Sequence, residues 1–461
     1  MPKFFTILFV FINITSVYSI DLPVSQISDD SLLRIRLKDS WFNETPDRVL
    51  ARRTVTEQLE SGERVQVSST EGRDEIMVLL SRELIRGRIA SDTNISAERR
   101  GTGQYPGWAQ GSWMLTRRKD TGAGTLIRIF PRSDQYTYIQ FRPLDSEKCF
   151  LDAVLYRGYL VRSVQIPVAF ERLYTMQLRD ILKLAEEKVP MHYFNPQPQL
   201  YQNHRRFVSQ VRAAISAEGL RFADDGAIDE NGNYVFIETL QRQNPASRGL
   251  NCSGFVKWLI DGILRPVTGE RLPITPLKAP FSERGSSFTA NWEQRRDPYF
   301  GLDWIRNLAS EANGILRSAS YKNLDEFEVR KDNFSLIMVG ENRNFTPQTY
   351  PGFLGEAGYG VEGLHPLLYT LAIDEPFSFY LAAVNTEIGA PVTADNPRGS
   401  PRLRQYFHVA ALVPYFDETG AFRVVVFESA SETSFAAFRT RYPGHFVNLV
   451  QIPIPSGFNP Q

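Results

Sequence analysis

The chain has 461 residues, of which 42% are hydrophobic and 12% aromatic, and this length and composition support two or three buried domain cores. Its 52 basic residues balance its 52 acidic residues, so no net charge favours nucleic acid or anionic lipid as a partner. Two cysteines exclude a framework of several disulfides, while a single Cys149–Cys252 bridge stays open as an alternative.

The first 19 residues have the pattern of a secretory signal peptide. Lys3 precedes an apolar run from Phe4 to Val17, and the segment ends at Ser19. We therefore expect residues 1–19 to be removed and the mature chain to be soluble and exported. Nothing later approaches the apolar length of a membrane span, so an integral membrane segment is not expected.

Residues 20–175 are predicted to form a β-rich N-terminal domain. Leu33, Ile35 and Leu37 alternate with basic residues, which is the period of a half-buried strand. Similar short runs follow, several of them separated by glycine or Asp-Gly turns. A helical piece is expected to interrupt the strands over residues 75–86.

Residues 176–200 are predicted to be a helix and a proline-rich linker, which together mark a domain boundary. Another helix is expected over residues 202–218, with Gly219 as its stop. The next segment, Asp-Glu-Asn-Gly-Asn at 229–233, half-fits a calcium-binding loop. Ala227 would then be the first ligand, and its side chain cannot coordinate, so we favour an Asn-Gly hairpin.

The stretch Gly249–Ile260 places Cys252 at the entrance of a predicted helix. Apolar residues recur at helical spacing after it, at Phe255, Val256, Leu259, Ile260 and Ile263. A thiol at a helix entrance lies at the positive end of the helix dipole, which favours the nucleophilic thiolate. Cys149 lies in a stretch typical of a buried small hydrophobe instead. Cys252 is therefore the candidate nucleophile.

Residues 251–258, Asn-Cys-Ser-Gly-Phe-Val-Lys-Trp, resemble the Asp-Cys-Ser-Gly-Phe-Val-x-Trp signature of the NlpC-type cell-wall cysteine peptidases, a papain-like superfamily. That family places its catalytic histidine at the start of a hydrophobic strand, and residues 406–409, Tyr-Phe-His-Val, correspond to it. Its third polar residue ends the next strand, where this chain has Glu428. The resemblance thus implies a catalytic set of Cys252, His408 and Glu428.

The resemblance also implies an α+β fold, in which residues 201–461 form a papain-like catalytic domain with the nucleophile helix packed on an antiparallel sheet. Compact members of the family lack residues corresponding to about 266–375, which are therefore predicted to be an insertion. Within it we expect a helix over 302–316. The closing strands are predicted at 377–385, 406–415, 421–427 and 445–452.

The implied function is hydrolysis of an amide bond, in peptidoglycan stem peptide, by the Cys252 thiolate with His408 as base. One alternative is a catalytically inactive envelope protein of the same family that acts as a binding scaffold. Another is thiol-dependent acyl transfer on lipid. No cofactor is expected, and no metal is expected because the other histidines lack metal-ligand spacing.

The cellular compartment can be narrowed further. Residues 251–253, Asn-Cys-Ser, form a glycosylation acceptor, and a sugar there would cover the proposed nucleophile. We therefore expect a bacterial envelope, periplasmic or extracellular, rather than a eukaryotic secretory route. Peptidoglycan or a peptide is the expected binding partner, and the sequence does not indicate an oligomeric state.

Overall fold

The protein is of mixed α and β structure, with antiparallel sheets and a β-rich N-terminal region. Residues 1–17, which hold most of the predicted signal peptide, lie outside the described residues. The computed structural model describes residues 18–19, 21–88, 98–281, 297–318, 320, 323–331, 336–338, 348–350, 352–355, 357–388 and 403–461.

The chain divides into two compact units. The first consists of Met1–Ala153, Ser163–Phe194 and Glu418–Ala421. The second consists of Val154–Arg162, Asn195–Asp417 and Phe422–Gln461. None of the described helices is long and apolar enough to cross a membrane.

Strands dominate the first unit. Its helices are α1 (Ser31–Leu37), α2 (Pro46–Leu50) and α3 (Leu178–Glu186). Its strands are β1 (Tyr18–Ser19), β2 (Val55–Gln58), β3 (Arg64–Glu71), β4 (Glu75–Arg82), β5 (Ile85–Arg88), β6 (Glu98–Gly101), β7 (Trp113–Arg118), β8 (Gly124–Ile129) and β9 (Tyr138–Pro143), followed by β10 (Cys149–Leu155) and β11 (Gly158–Ile166), whose residues divide between the units. Strands β2, β3, β4, β7, β8 and β9 pair antiparallel in that order.

The stretch Ser31–Leu37 is a helix, so the strand predicted from its alternating pattern is wrong. Leu33 and Leu37 are buried, whereas Ile35 between them is 51% exposed, so the apolar spacing is four residues rather than two. Arg34 is fully buried. The cost of burying its charge is offset because the guanidinium donates hydrogen bonds to a neighbouring carboxylate and to backbone carbonyl oxygens. The alternating pattern therefore misled because one of its polar residues lies inside the core.

The helix predicted over residues 75–86 is also wrong, because that segment contains strand β4. This strand pairs with β3 on one side and with β7 on the other. Ile76, Val78 and Leu80 alternate along it and are buried on one face. Ladder partners on both sides outweigh the helical preference of the isolated segment.

The second unit contains six further helices and ten strands among its described residues. The helices are α4 (Gln202–Glu218), α5 (Cys252–Thr268), α6 (Ile274–Leu277), α7 (Phe300–Arg317), α8 (Leu364–Asp374) and α9 (Phe435–Arg441). The strands are β12 (Gly226–Ile228), β13 (Tyr234–Phe236), β14 (Leu336–Met338), β15 (Gln348–Tyr350), β16 (Tyr359–Gly360), β17 (Ser378–Ile388), β18 (Leu403–Phe416), β19 (Phe422–Glu428), β20 (Ser431–Ser434) and β21 (Phe446–Pro453). The predictions of helices over 202–218 and 302–316 and of the four closing strands are confirmed.

Strands β12 and β13 form the predicted hairpin. Asp229 Oδ1 accepts the backbone N–H groups of Asn231 (3.0 Å) and Asn233 (2.7 Å), and Gly232 takes a φ of +82°. The carboxylate therefore closes the turn as a hydrogen-bond acceptor, and the positive φ explains the glycine. The hairpin prediction is confirmed over the calcium-loop alternative.

A six-stranded antiparallel sheet is the centre of the second unit, with strand order β16-β21-β17-β18-β19-β20. Helix α8 packs on one face, in a core that includes Tyr380, Ala382 and Val384 of β17. Phe379, which precedes them and points to the opposite face of β17, is also buried, and its ring lies 5.3 Å from that of Phe207 on α4. Both faces of the sheet are therefore covered by helices, which explains its nearly continuous apolar sequence.

Candidate active site

Cys252 is the first residue of α5, and the preceding residue caps this helix. Asn251 Oδ1 accepts the backbone N–H of Gly254 at 2.7 Å, the N-cap contact that a polar side chain makes at a helix entrance. An amide oxygen makes this bond as a carboxylate oxygen would, so Asn251 caps the helix as an aspartate at this position would. The thiol therefore lies at the positive end of a helix of 17 residues.

The first turn of α5 is fixed from two sides. A Cβ atom on Gly254 would lie 1.9 Å from the Gly226 carbonyl oxygen, so glycine permits close contact between the helix and β12. On another side, Trp304 Nε1 donates to the Ser253 carbonyl oxygen at 3.0 Å. Trp304 belongs to α7, so part of the predicted insertion at 266–375 packs directly on the cysteine helix.

A β-bulge in β18 precedes the candidate base. Val384 of β17 lies opposite His408, and the next residue, Asn385, lies opposite Tyr406, so Phe407 is an extra residue without a register partner. Bulges of this kind bend a strand and redirect its side chains, often beside active sites. His408 is thereby placed close enough to Cys252 for its imidazole to lower the pKa of the thiol.

Glu428 is the last residue of β19 and accepts a hydrogen bond from the same imidazole. Its Oε2 lies 2.6 Å from His408 Nε2, which leaves Nδ1 for the Cys252 thiol. The backbone N–H of Val409 also lowers the pKa of the thiol. The structure thus brings together the three residues that the sequence singled out, in the order Cys252, His408, Glu428.

The electrostatics of this group favour the thiolate–imidazolium pair. Burial opposes ionisation of Cys252, but hydrogen bonding and the positive charge of His408 outweigh burial and lower the pKa of the thiol. Burial likewise opposes charge on His408, but the hydrogen bonds with Cys252 and Glu428 raise its pKa to about 9. For Glu428 the burial cost is exceeded by the hydrogen bond and charge of His408, so its pKa is lowered.

The pKa values of the remaining cysteine and of two other histidines shift in the opposite directions, away from the charged form. Burial raises the pKa of Cys149 to about 12, and both cysteines are free, so the Cys149–Cys252 bridge is not formed. Burial lowers the pKa of His204 to about 4 and that of His365 to about 3, which keeps both neutral. Among the described residues, no group of histidine, cysteine and acidic side chains has the arrangement of a metal site.

Two residues of the site were not predicted from the sequence. Arg441 Nη1 donates to Glu428 Oε1 at 2.7 Å, and the Tyr442 ring centroid lies 5.6 Å from that of His408. Arg441 is the last residue of the short helix α9 and Tyr442 follows it, and the start of this helix is marked by the capping residue Ser434. Ser434 was the sequence signal available near these residues. A capping residue indicates where a helix starts, but not the direction in which the last side chain of that helix points.

The arrangement can perform nucleophilic chemistry, because a thiol with lowered pKa contacts an imidazole that a carboxylate orients. In comparisons with known proteins, a family model described as "Domain of unknown function (DUF8515)" matches residues 23–193. That match ends before Cys252 and therefore covers none of the three site residues. No curated protein and no solved structure matches the chain.

Proposed function

We propose that the chain is an exported cysteine hydrolase with an NlpC-like, papain-like catalytic domain over residues 201–461. Its substrate is an amide bond in peptidoglycan stem peptide. The observation that carries the proposal is the contact series from the Cys252 thiol through His408 to Glu428, with Nε2 and Oε2 2.6 Å apart. The sequence resemblance of residues 251–258 supplies the substrate class, and the signal-peptide pattern of residues 1–19 supplies the export.

The first half of the reaction forms a thioester. The Cys252 thiolate attacks the carbonyl carbon of the amide, so that a carbon–sulfur bond forms and the negative charge moves to the carbonyl oxygen. The His408 imidazolium then donates its proton to the amide nitrogen. The carbon–nitrogen bond breaks, and the amine leaves with that proton. Glu428 remains ionised throughout and stabilises the charged imidazole.

The second half releases the acid product. Neutral His408 accepts a proton from water while the water oxygen attacks the thioester carbon. The carbon–sulfur bond breaks, and Cys252 leaves as the thiolate beside the renewed imidazolium. The start of α5 favours this charge distribution, because the N-terminal end of a helix carries partial positive charge.

Hydrolysis of purified cell wall tests the proposal. Wild-type protein is expected to release stem-peptide fragments, and Cys252→Ala and His408→Ala are each expected to abolish release. The double variant should be no worse than either single variant, because the two residues act as a unit. Cys149→Ala is the matched control and should retain activity if it folds.

Circular dichroism of every variant separates loss of chemistry from loss of folding. Folded wild-type protein that binds a panel of wall types but releases nothing would contradict the hydrolase and support the scaffold alternative. Release that is unchanged in Cys252→Ala would remove the thiol from the mechanism.

A further inference from the structure

Glu428 has a second charged partner besides His408. Its side chain is 2% exposed, and each carboxylate oxygen is occupied by a different residue. Oε2 contacts His408 Nε2 at 2.6 Å, while Oε1 accepts from Arg441 Nη1 at 2.7 Å. The guanidinium is 46% exposed, so it reaches the buried carboxylate from the solvent side.

The second contact constrains the carboxylate. A glutamate carboxylate turns easily about its last side-chain bond, because that torsion is broad and two-fold. The hydrogen bond to His408 fixes one oxygen, and the Thr433 hydroxyl also interacts with the carboxylate. A charge-assisted bond from Arg441 to the other oxygen fixes the plane as well.

The backbone around Arg441 explains why the guanidinium points at Glu428. Ser434 Oγ accepts the Ala437 N–H at 3.1 Å and starts α9, and Phe438 is fully buried beneath that helix. The helix ends at Arg441, after less than two full turns beyond the cap. The last side chain therefore returns to the end of β19, the strand on which α9 packs.

We propose that Arg441 is a positioning residue, which holds the Glu428 carboxylate in the plane that orients His408 towards Cys252. This inference rests on the proposed function, because it assigns Arg441 a role in the same reaction. The proposed role of Arg441 is to fix the orientation of the carboxylate rather than to add charge to the site. The positive charge of Arg441 by itself disfavours an imidazolium nearby, but solvent screens a half-exposed guanidinium.

The rate at which iodoacetamide alkylates Cys252 in the full chain measures this role without requiring turnover. Arg441→Ala is expected to reduce the rate at pH 7 by about tenfold, a loss similar to that seen when residues that orient metal-bound histidines are removed. The alkylation rate of Arg441→Lys should lie between those of wild type and Arg441→Ala, since lysine keeps the charge but lacks the planar guanidinium fork. Guanidinium chloride added to Arg441→Ala should restore part of the lost alkylation rate, whereas sodium chloride at the same concentration should not.

Arg212 provides a matched control within the same unit. Its guanidinium is 50% exposed and contacts both oxygens of Glu432, at 2.6 and 2.7 Å. It thus forms a similar surface pair with a glutamate of the β19–β20 hairpin, but not with Glu428. Cys252 in the Arg212→Ala variant should be alkylated at the wild-type rate.

The outcomes distinguish this inference from the proposed function. If Cys252 is alkylated at the wild-type rate in Arg441→Ala, or if Arg212→Ala lowers the rate equally, the role of Arg441 is overturned and the proposed function is not. Slow alkylation of Cys252 in the wild-type chain, at the rate of Cys149, overturns the proposed function and this inference with it. Should Arg441→Ala fail to fold, Arg441→Lys and Arg441→Gln replace it, and wild-type rates in both overturn the role.

Discussion

His408 Nε2 and Glu428 Oε2 lie 2.6 Å apart, between side chains that are 11% and 2% exposed. Low exposure strengthens a charge-assisted hydrogen bond, because little water competes for either group. The carboxylate therefore determines which imidazole nitrogen faces the thiol. It also stabilises the charged form of the ring that the proposed mechanism requires.

Substitution of Glu428 should reduce hydrolysis without abolishing it. Glu428→Gln is expected to lower kcat about tenfold and Glu428→Ala about a hundredfold, as for other residues that orient a reacting histidine. Glutamine keeps an acceptor for the imidazole N–H, whereas alanine removes it. The measurement is release of stem-peptide fragments by variants whose circular dichroism is unchanged. An alanine variant as active as wild type would exclude an orienting role.

The two cysteines should differ in their pH dependence of alkylation. The pKa of Cys252 is lowered, so its thiolate persists below the ordinary thiol range and alkylation should continue at neutral pH. The pKa of Cys149 is raised to about 12, so its alkylation should require strongly alkaline solution. Mass spectrometry of peptides labelled from about pH 5 to about pH 10 measures both sites in one sample, and over this range Cys252 should be labelled while Cys149 stays largely unlabelled. Equal rates at every pH would contradict the assignment.

The charge on His408 should also make stability depend on pH. Its pKa is raised from 6.5 to about 9, so the folded chain binds this proton more tightly than the unfolded chain. The resulting stabilisation is fully present below the unfolded value and is lost as pH rises through about 9. Urea unfolding from about pH 6 to about pH 10 gives the free energy of unfolding of wild type and of His408→Ala. The difference between these two free energies should become smaller as the pH rises. A constant difference would argue against a charged imidazole.

Two glycines on α5 should respond differently to alanine. A Cβ on Gly254 would meet the Gly226 backbone oxygen at 1.9 Å, whereas one on Gly262 would meet the Phe458 ring at 2.3 Å. A ring can turn aside, but a backbone strand moves only with its neighbours. We expect Gly254→Ala to lower the free energy of unfolding by about 2 kcal/mol or more. Gly262→Ala should cost less, because alanine also favours the helix by about 1 kcal/mol. Urea unfolding gives both values, and the reverse order would be contrary to this account.

The buried ion pair on α5 offers a test of the helix itself. Lys257 Nζ lies 2.6 Å from Asp261 Oδ2, with the side chains 1% and 2% exposed. Lys257→Met leaves a buried carboxylate unpaired and should cost about 3–5 kcal/mol of unfolding free energy. The double variant with Asp261→Leu should recover much of that loss, since both charges are then removed. A double variant as unstable as the sum of the single ones would exclude this coupling.

Several features of the second unit follow from local sequence alone. The helix of Cys252 shows a regular apolar spacing and a polar cap, and both signals depend on residues within a few positions of one another. The hairpin at residues 229–233 has the same origin, because its turn uses its own aspartate and glycine. The closing strands are long apolar runs, which are typical of a sheet covered on both faces.

Other features required contacts between distant residues. Ser31–Leu37 is helical because Arg34 reaches backbone carbonyls more than a hundred positions away, and no local pattern reveals that. Residues 75–82 form a strand because β3 and β7 provide its ladder. In both cases a hydrogen-bond partner supplied by the fold outweighed the local preference.

The candidate site shows the same division. The sequence by itself determined the candidate groups, because residue types and the motif at residues 251–258 singled out Cys252, His408 and Glu428 as a set. The tertiary structure decided the geometry: the bulge at Phe407 places the imidazole, and the end of α9 directs Arg441 to the carboxylate. A motif specifies which groups are present. Distances between side chains on separate strands and helices depend on register and packing, which are set by the whole unit at once.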